Sequence, residues 1–175
     1  MNWAVAKAIL ILPCTGVVFL PAVLLWISQN SRFAAVASEP RQIGFWVGLC
    51  AAVLGLVLLI WTISLFAKLG RGTLAPWDPT KRLVVSGPYR HVRNPMITGV
   101  LLILFGEALL FRSWPIAIWM VFFFIINAIY FPLLEEKDLE RRFGQEYVLY
   151  RQNVPRWIPQ LRAWEKTKQD NSGSP

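Results

Sequence analysis

The chain has 175 residues, a formal net charge of +8, and a composition that is 55% hydrophobic and only 16% charged. Soluble domains are nearer a quarter charged, and a domain of this length leaves too much surface exposed to hide such an apolar excess in a core; lipid is the solvent that remains. Strong positive charge is the usual mark of nucleic-acid binding, but here the charges fall between apolar runs rather than on one soluble face, which argues against it.

Lys7 precedes an apolar run at 8–28 that is longer than the core of a secretory leader and lacks a small-residue cleavage site, so it reads as a retained first span. Pro13 and Pro21 are expected to kink it. A second span is predicted at 43–67, a third at 95–111 and a fourth at 114–134, against a requirement of roughly 20 residues to cross a bilayer. The third is the shortest, and the break at Arg112-Ser113-Trp114-Pro115 makes spans three and four a tight helical hairpin. Cys14 and Cys50 both lie in apolar stretches with no Cys-x-x-Cys pair, so no disulfide framework is expected. The chain reads as one all-α integral membrane domain over 1–165, with a polar, disordered tail at 166–175.

Lys and Arg counts set the orientation. The loop after span two holds six (Lys68, Arg71, Lys81, Arg82, Arg90 and Arg93), and the region from Glu135 onward holds eight. The other two connections hold Arg32 and Arg41, and Arg112. Positive charge marks the cytoplasmic side, so both termini, the loop 68–94 and the segment 135–160 are expected there. In that segment Leu139, Phe143, Tyr147 and Tyr150 recur at helical spacing, and Gly144 bends or divides the helix. Val154-Pro155-Arg156-Trp157-Ile158-Pro159 reads as extended, with Trp157 and Ile158 placed to dip into the interface.

Two stretches carry candidate chemistry. One is the loop Gly70 to Pro79 followed by Leu83 to Pro95, rich in Gly and Pro, which hold an irregular backbone close to a ligand. The other is Glu135-Glu136, where span four leaves the membrane. The plain alternative is a basic loop resting on anionic headgroups. His91 lies in this loop and reads as a solvated or packing residue rather than a base. Glu107 is an acidic residue inside span three; such residues are costly there, and a bond to Trp114, Arg112 or the hairpin backbone is expected. Asn127, Phe131, Glu135 and Asp138 fall on one face of a continuing helix, with Asn127 tying spans together.

Gly87-Pro88-Tyr89, Arg93-Asn94-Pro95-Met96, Glu135-Glu136, Phe143-Gly144, Tyr147, Tyr150 and Val154-Pro155-Arg156-Trp157 occur in an order that resembles the isoprenylcysteine carboxyl methyltransferase family and its phospholipid methyltransferase relatives, over roughly 65–160. Gly72 to Pro76 is similar to bacterial members, which implies a bacterial inner membrane. The family's Arg-His-Pro-x-Tyr motif has Asn94 in place of the histidine and Ile97 in place of the tyrosine. Asn still donates and accepts hydrogen bonds; Ile does not.

The resemblance implies S-adenosyl-L-methionine as methyl donor and S-adenosyl-L-homocysteine as product. By position in the motifs, Gly87, Tyr89, Arg93, Asn94 and Pro95 would line the cofactor pocket. Glu135 and Glu136 would meet the cofactor's amino group, and Tyr147, Tyr150 and Arg156 complete the set. Arginine suits the cofactor carboxylate. No residue is assigned the chemical step, with Arg93, Asn94 and Glu136 expected to position the reactants. The methyl acceptor implied is a carboxylate or an amine on an amphiphilic, lipid-like or lipidated substrate. Arginines precede the acidic pair in eukaryotic prenylcysteine enzymes, whereas Tyr130 to Leu134 is uncharged here. The competing readings are a phospholipid N-methyltransferase, an NADPH-dependent membrane reductase of the sterol-reductase type, and a non-catalytic scaffold.

Overall fold

A computed structural model describes residues 14–69 and 82–165. The expectations for Pro13, for the loop at 70–81 and for the tail at 166–175 lie outside the described residues. Within them the chain is helical, without a strand. Five helices follow in order: α1 (Thr15–Ser28), α2 (Ile43–Leu69), α3 (Pro95–Leu110), α4 (Trp114–Phe143) and α5 (Gln145–Asn153). A single 3-10 turn, Gly87–Arg90, precedes α3.

α2 and α4, of 27 and 30 residues, are long and apolar enough to cross a bilayer. At 1.5 Å per residue they measure about 40 and 45 Å. α1 and α3 are apolar but shorter. Large side chains stand exposed along both long helices, among them Leu54, Val57 and Ile60 on α2 and Ile118, Phe122 and Ile129 on α4. An apolar surface this extensive is a lipid-facing surface. Cys14 and Cys50 are free and exposed, in keeping with the absence of a disulfide.

The principal pairing is α2 against α3, and small residues make it. A Cβ added to Gly55 would stand 2.6 Å from the Gly99 carbonyl oxygen, and one added to Gly106 would stand 2.6 Å from that of Gly48. Lipid is as apolar as any helix face, so helices in it associate through close backbone approach rather than a hydrophobic drive. Beside this seam Val17, Leu59, Val100, Ile103, Leu104 and Ile116 form the buried apolar cluster, drawing in α1 and the start of α4. The Trp119 indole donates to the Gly16 carbonyl at 3.0 Å and pins α4 to α1.

The α3–α4 connection is the tight hairpin expected. Arg112 turns with φ 44°, and the Ser113 side chain caps α4. The α1–α2 linker closes the same end: the Val36 and Ser38 N–H groups donate to the carbonyls of Phe111 and Leu110, and the Ser38 hydroxyl donates to that of Leu109. Carbonyls at a helix end must find partners, and here the linker supplies them.

Two stretches widen to π geometry, each beside a proline. In α1 the Leu20 N–H reaches the Thr15 carbonyl, next to Pro21. In α4 the Glu136 N–H reaches back five residues to the Phe131 carbonyl, across Pro132. Proline removes a donor and crowds the preceding turn, and a π turn accommodates both faults. The fourth helix therefore continues through the proline to Phe143, past the apolar run that ends at 134, as the continuing helix expected from the sequence requires. The extra residue turns everything after it by about 100° relative to a straight α-helix.

Gly55→Val is expected to drive a branched side chain into the Gly99 backbone, lowering stability by roughly 1–3 kcal/mol or more. Gly44→Ala meets nothing within 4 Å and should leave the melting temperature in detergent unchanged or slightly raised. Equal melting of the two variants would show that the seam is not close-packed.

Candidate functional site

The polar half is assembled from three segments distant in sequence: 82–94, the end of α4, and 145–165. Glu136 stands where they meet, buried with 6% of its surface exposed. Its Oε1 accepts from Arg93 Nη1 and Arg156 Nε, each at 2.8 Å, and its Oε2 accepts from Arg156 Nη2 at 2.9 Å. The Arg156 fork is therefore bidentate, which is the strong form of this pair. One carboxylate faces two guanidinium groups, so the cluster carries a net positive charge. Three of about four acceptor positions on the carboxylate are filled, leaving one at Oε2.

The π turn explains why it is Glu136 that faces inward. A straight helix would align Glu135 with Phe131, as the 4, 4, 3 spacing predicts. The five-residue step gives that direction to Glu136. Glu135 is instead half-buried beside Arg142 and Asp138. The acidic pair thus divides into two unlike positions.

Arg93 is held at both ends. Its N–H donates to the Pro155 carbonyl at 2.9 Å, and its guanidinium lies close enough to the Tyr147 hydroxyl to lower that group's pKa. Asn94 precedes α3, is 8% exposed, and accepts at its carbonyl from the N–H and hydroxyl of Thr98. Two donors here, Arg93 Nε and Asn94 Nδ2, are buried without a hydrogen-bond partner among the described residues. Buried donors are normally satisfied, so each of these two neighbouring residues keeps a donor available for an acceptor.

Tyr147, Tyr150 and Val154 form the buried centre of the C-terminal part, against Leu83, Val85, Leu139, Phe143 and Trp164. The apolar stripe expected from spacing therefore forms one cluster, although Gly144, with φ 54°, divides it between α4 and α5. The Tyr150 hydroxyl donates to the Tyr89 carbonyl at 2.7 Å. Burial raises the pKa of Tyr89 well above its ordinary value, with Tyr150 adding to the shift. Burial likewise raises those of Tyr150 and Tyr147; Arg93 pulls both back down, and Glu136 pushes Tyr147 further up.

Gly87 takes φ 57° and lies against α2, where a Cβ would stand 3.0 Å from Leu65 and 3.2 Å from Trp61. A cavity of about 540 Å³ opens beside this turn, lined by Leu69, Arg82, Ser86, Gly87, Arg90 and Trp164 among others. That lies within the range of small-molecule sites. Of the ten sequence-predicted site residues, Gly87 alone lines it. Arg93, Arg156 and Tyr147 gather around Glu136, with Asn94 and Pro95 following Arg93 in the chain and Tyr150 bonded to Tyr89 nearby, while Glu135 stands apart beside Arg142 and Asp138.

Sequence reasoning missed the segment 160–165. The Gln160 and Trp164 N–H groups donate to the carbonyls of His91 and Arg90, Arg90 Nε donates to the Trp164 carbonyl at 2.9 Å, and Arg90 pairs with Glu165. Trp164, isolated in a polar stretch, was the available signal. A ring nitrogen of His91 lies 2.8 Å from the Gln160 carbonyl, so His91 packs as expected. Two expectations need correction. Asn127 donates to Phe123 in its own helix at 2.8 Å and ties no spans together among the described residues. Glu107 makes none of the expected hydrogen bonds, and its Oε2 is buried without a partner among the described residues.

The profile of the phospholipid methyltransferase family matches residues 43–146, which is 104 of 175 residues. No curated protein matches the sequence.

Glu136→Gln should cost roughly 3 kcal/mol, the low end for breaking a buried pair, because Arg156 retains some exposure. Asp138→Asn removes only the surface pair with Arg142, worth about 0–1 kcal/mol; similar melting losses for both would show that the cluster is not buried in solution. Alkali offers a second check. Tyr89 and Tyr150 have folded pKa values above the unfolded value of about 10. Their contribution is therefore complete below pH 10 and is lost as pH rises through the folded values. Stability should fall steeply above about pH 10, and less steeply in Tyr150→Phe.

Proposed function

Taking as premise that the chain belongs to the phospholipid methyltransferase family, we propose that this membrane protein transfers a methyl group from S-adenosylmethionine to the polar head of an amphiphilic, lipid-like substrate. The observation that carries the reading is the pair of orphaned donors, Arg93 Nε and Asn94 Nδ2, within a net positive cluster. An acceptor-rich anionic group fits there, such as the carboxylate of the methyl donor's amino-acid end. The open position on Glu136 Oε2 suits its ammonium. When bound, the donor supplies an activated methyl group on a sulfonium sulfur.

The protein's part is positioning. Arg93 and Asn94 orient the donor, Arg156 fixes Glu136, and Tyr147 holds Arg93 in place. In-line attack by a nucleophile held in the right geometry needs little else. An apolar groove of about 350 Å³ between α3 and α4, lined by Thr98, Leu101, Phe105, Met120 and Phe124 among others, opens one turn from Asn94. It offers room for the apolar part of the substrate. The Lys and Arg asymmetry supports placing this half of the molecule on the cytoplasmic side.

In the finer form of the proposal the acceptor is a carboxylate, as in isoprenylcysteine methylation, which requires no base. The family match is equally compatible with a second form, an amine acceptor on a phospholipid. An amine must be neutral to attack, and Glu135, outside the two-arginine cluster that holds Glu136, is then the better proton acceptor of the pair.

Titration with S-adenosylhomocysteine should show binding, and NADPH should show none. Arg93→Ala removes a charge-assisted contact worth roughly 1.5–3 kcal/mol, so affinity should fall about 10- to 150-fold. Parent-like binding by folded Arg93→Ala, or binding of NADPH alone, would overturn the site. Labelled methyl released from the product by alkali as methanol identifies an ester; label retained identifies an amine.

A further inference from the structure

The chain from Arg156 to Arg162 leaves the polar cluster and crosses the flank of α4. Trp157 is half-buried, with its ring 5.3 Å from Phe124 and 6.3 Å from Phe131, both edge-on. Phe124 belongs to the apolar surface that α4 presents outward, so Trp157 sits where the lipid-facing belt meets the polar half. The next apolar residues are almost bare: Ile158 is 80% exposed and Leu161 fully exposed. They cannot turn inward while the backbone holds, because Gln160 is fixed on both sides by His91. Arg156 and Arg162 flank them.

We propose that Ile158 and Leu161 form an interfacial anchor that lies in the headgroup–acyl boundary of the bilayer. Trp157 joins it without a break to the lipid-facing surface of α4. Exposed apolar side chains beside an amphipathic tryptophan, followed by the exposed Arg162 whose head can reach back to water, match that boundary. The anchor begins two residues after Arg156. The bilayer thereby helps hold the Arg156 fork on Glu136, and the polar half is complete only when seated on a membrane. The anchoring claim rests on geometry alone; its consequence for the site rests on the methyl-donor reading.

The two parts have separate tests. With Cys14 and Cys50 replaced by Ala, an environment-sensitive fluorophore is placed at Ile158→Cys, at Leu161→Cys and, as control, at the exposed Gln152→Cys. Each protein is reconstituted in phosphatidylcholine nanodiscs with or without bromine-labelled acyl chains. Bromine should quench positions 158 and 161 and spare 152, while aqueous iodide does the reverse. Iodide quenching at 158 and 161 without bromine quenching would overturn the anchor. Ile158→Asn/Leu161→Asn should then bind S-adenosylhomocysteine more weakly than the parent in nanodiscs. Parent-like binding, with bromine quenching intact in the labelled proteins, would overturn the coupling and leave the anchor standing.

Discussion

A carboxylate taken out of water must find cations, and Glu136 finds two. The desolvation of an ion runs to several kcal/mol even after relaxation, so a chain that buries this group has few acceptable arrangements. Arg93 comes from the turn before α3 and Arg156 from beyond α5, 43 and 20 residues away. Satisfying one side chain therefore fixes three segments at once. Tyr147 then holds Arg93, Tyr150 reaches back to the Tyr89 carbonyl, and the segment 160–165 closes over Arg90 and His91.

The two halves of the molecule follow different rules of association. In the membrane half the solvent gives no reward for covering apolar surface, so α2 and α3 join through backbone contact at glycine. In the polar half, aromatic rings are buried from water and hydroxyls are matched to carbonyls. The proposed site lies at the join, where the helix that faces lipid carries the charge that organises the polar part. That placement suits chemistry between a water-soluble donor and a substrate that arrives from the bilayer.

Much of this was legible in the sequence. The second span, the hairpin at Arg112-Ser113, the break at Gly144 and the packing role of His91 follow from composition, turn chemistry and spacing. The π turn was not legible, because Pro132 announces a disturbance without saying how the helix absorbs it. A kink, a break and a widened turn all answer the same residue. That one ambiguity left open which of Glu135 and Glu136 faces inward. Arg156 was placed in the site, but its bond to Glu136 was not legible, since spacing cannot show that an arginine 20 residues downstream returns to a carboxylate. Asn127 and Glu107 misled for a related reason: a polar residue in an apolar run signals cost, and its remedy, within its own helix or none, depends on neighbours in space.

The glycine seam inverts the usual relation between size and importance. Along α2 and α3 the bulky residues meet fluid hydrocarbon, which accepts leucine, isoleucine, valine or phenylalanine almost equally. The positions without a side chain meet rigid backbone, which accepts nothing more. Sequence drift in this chain should thus run freely over its largest apolar residues and stop at its smallest, so that the lineage records its architecture in hydrogens.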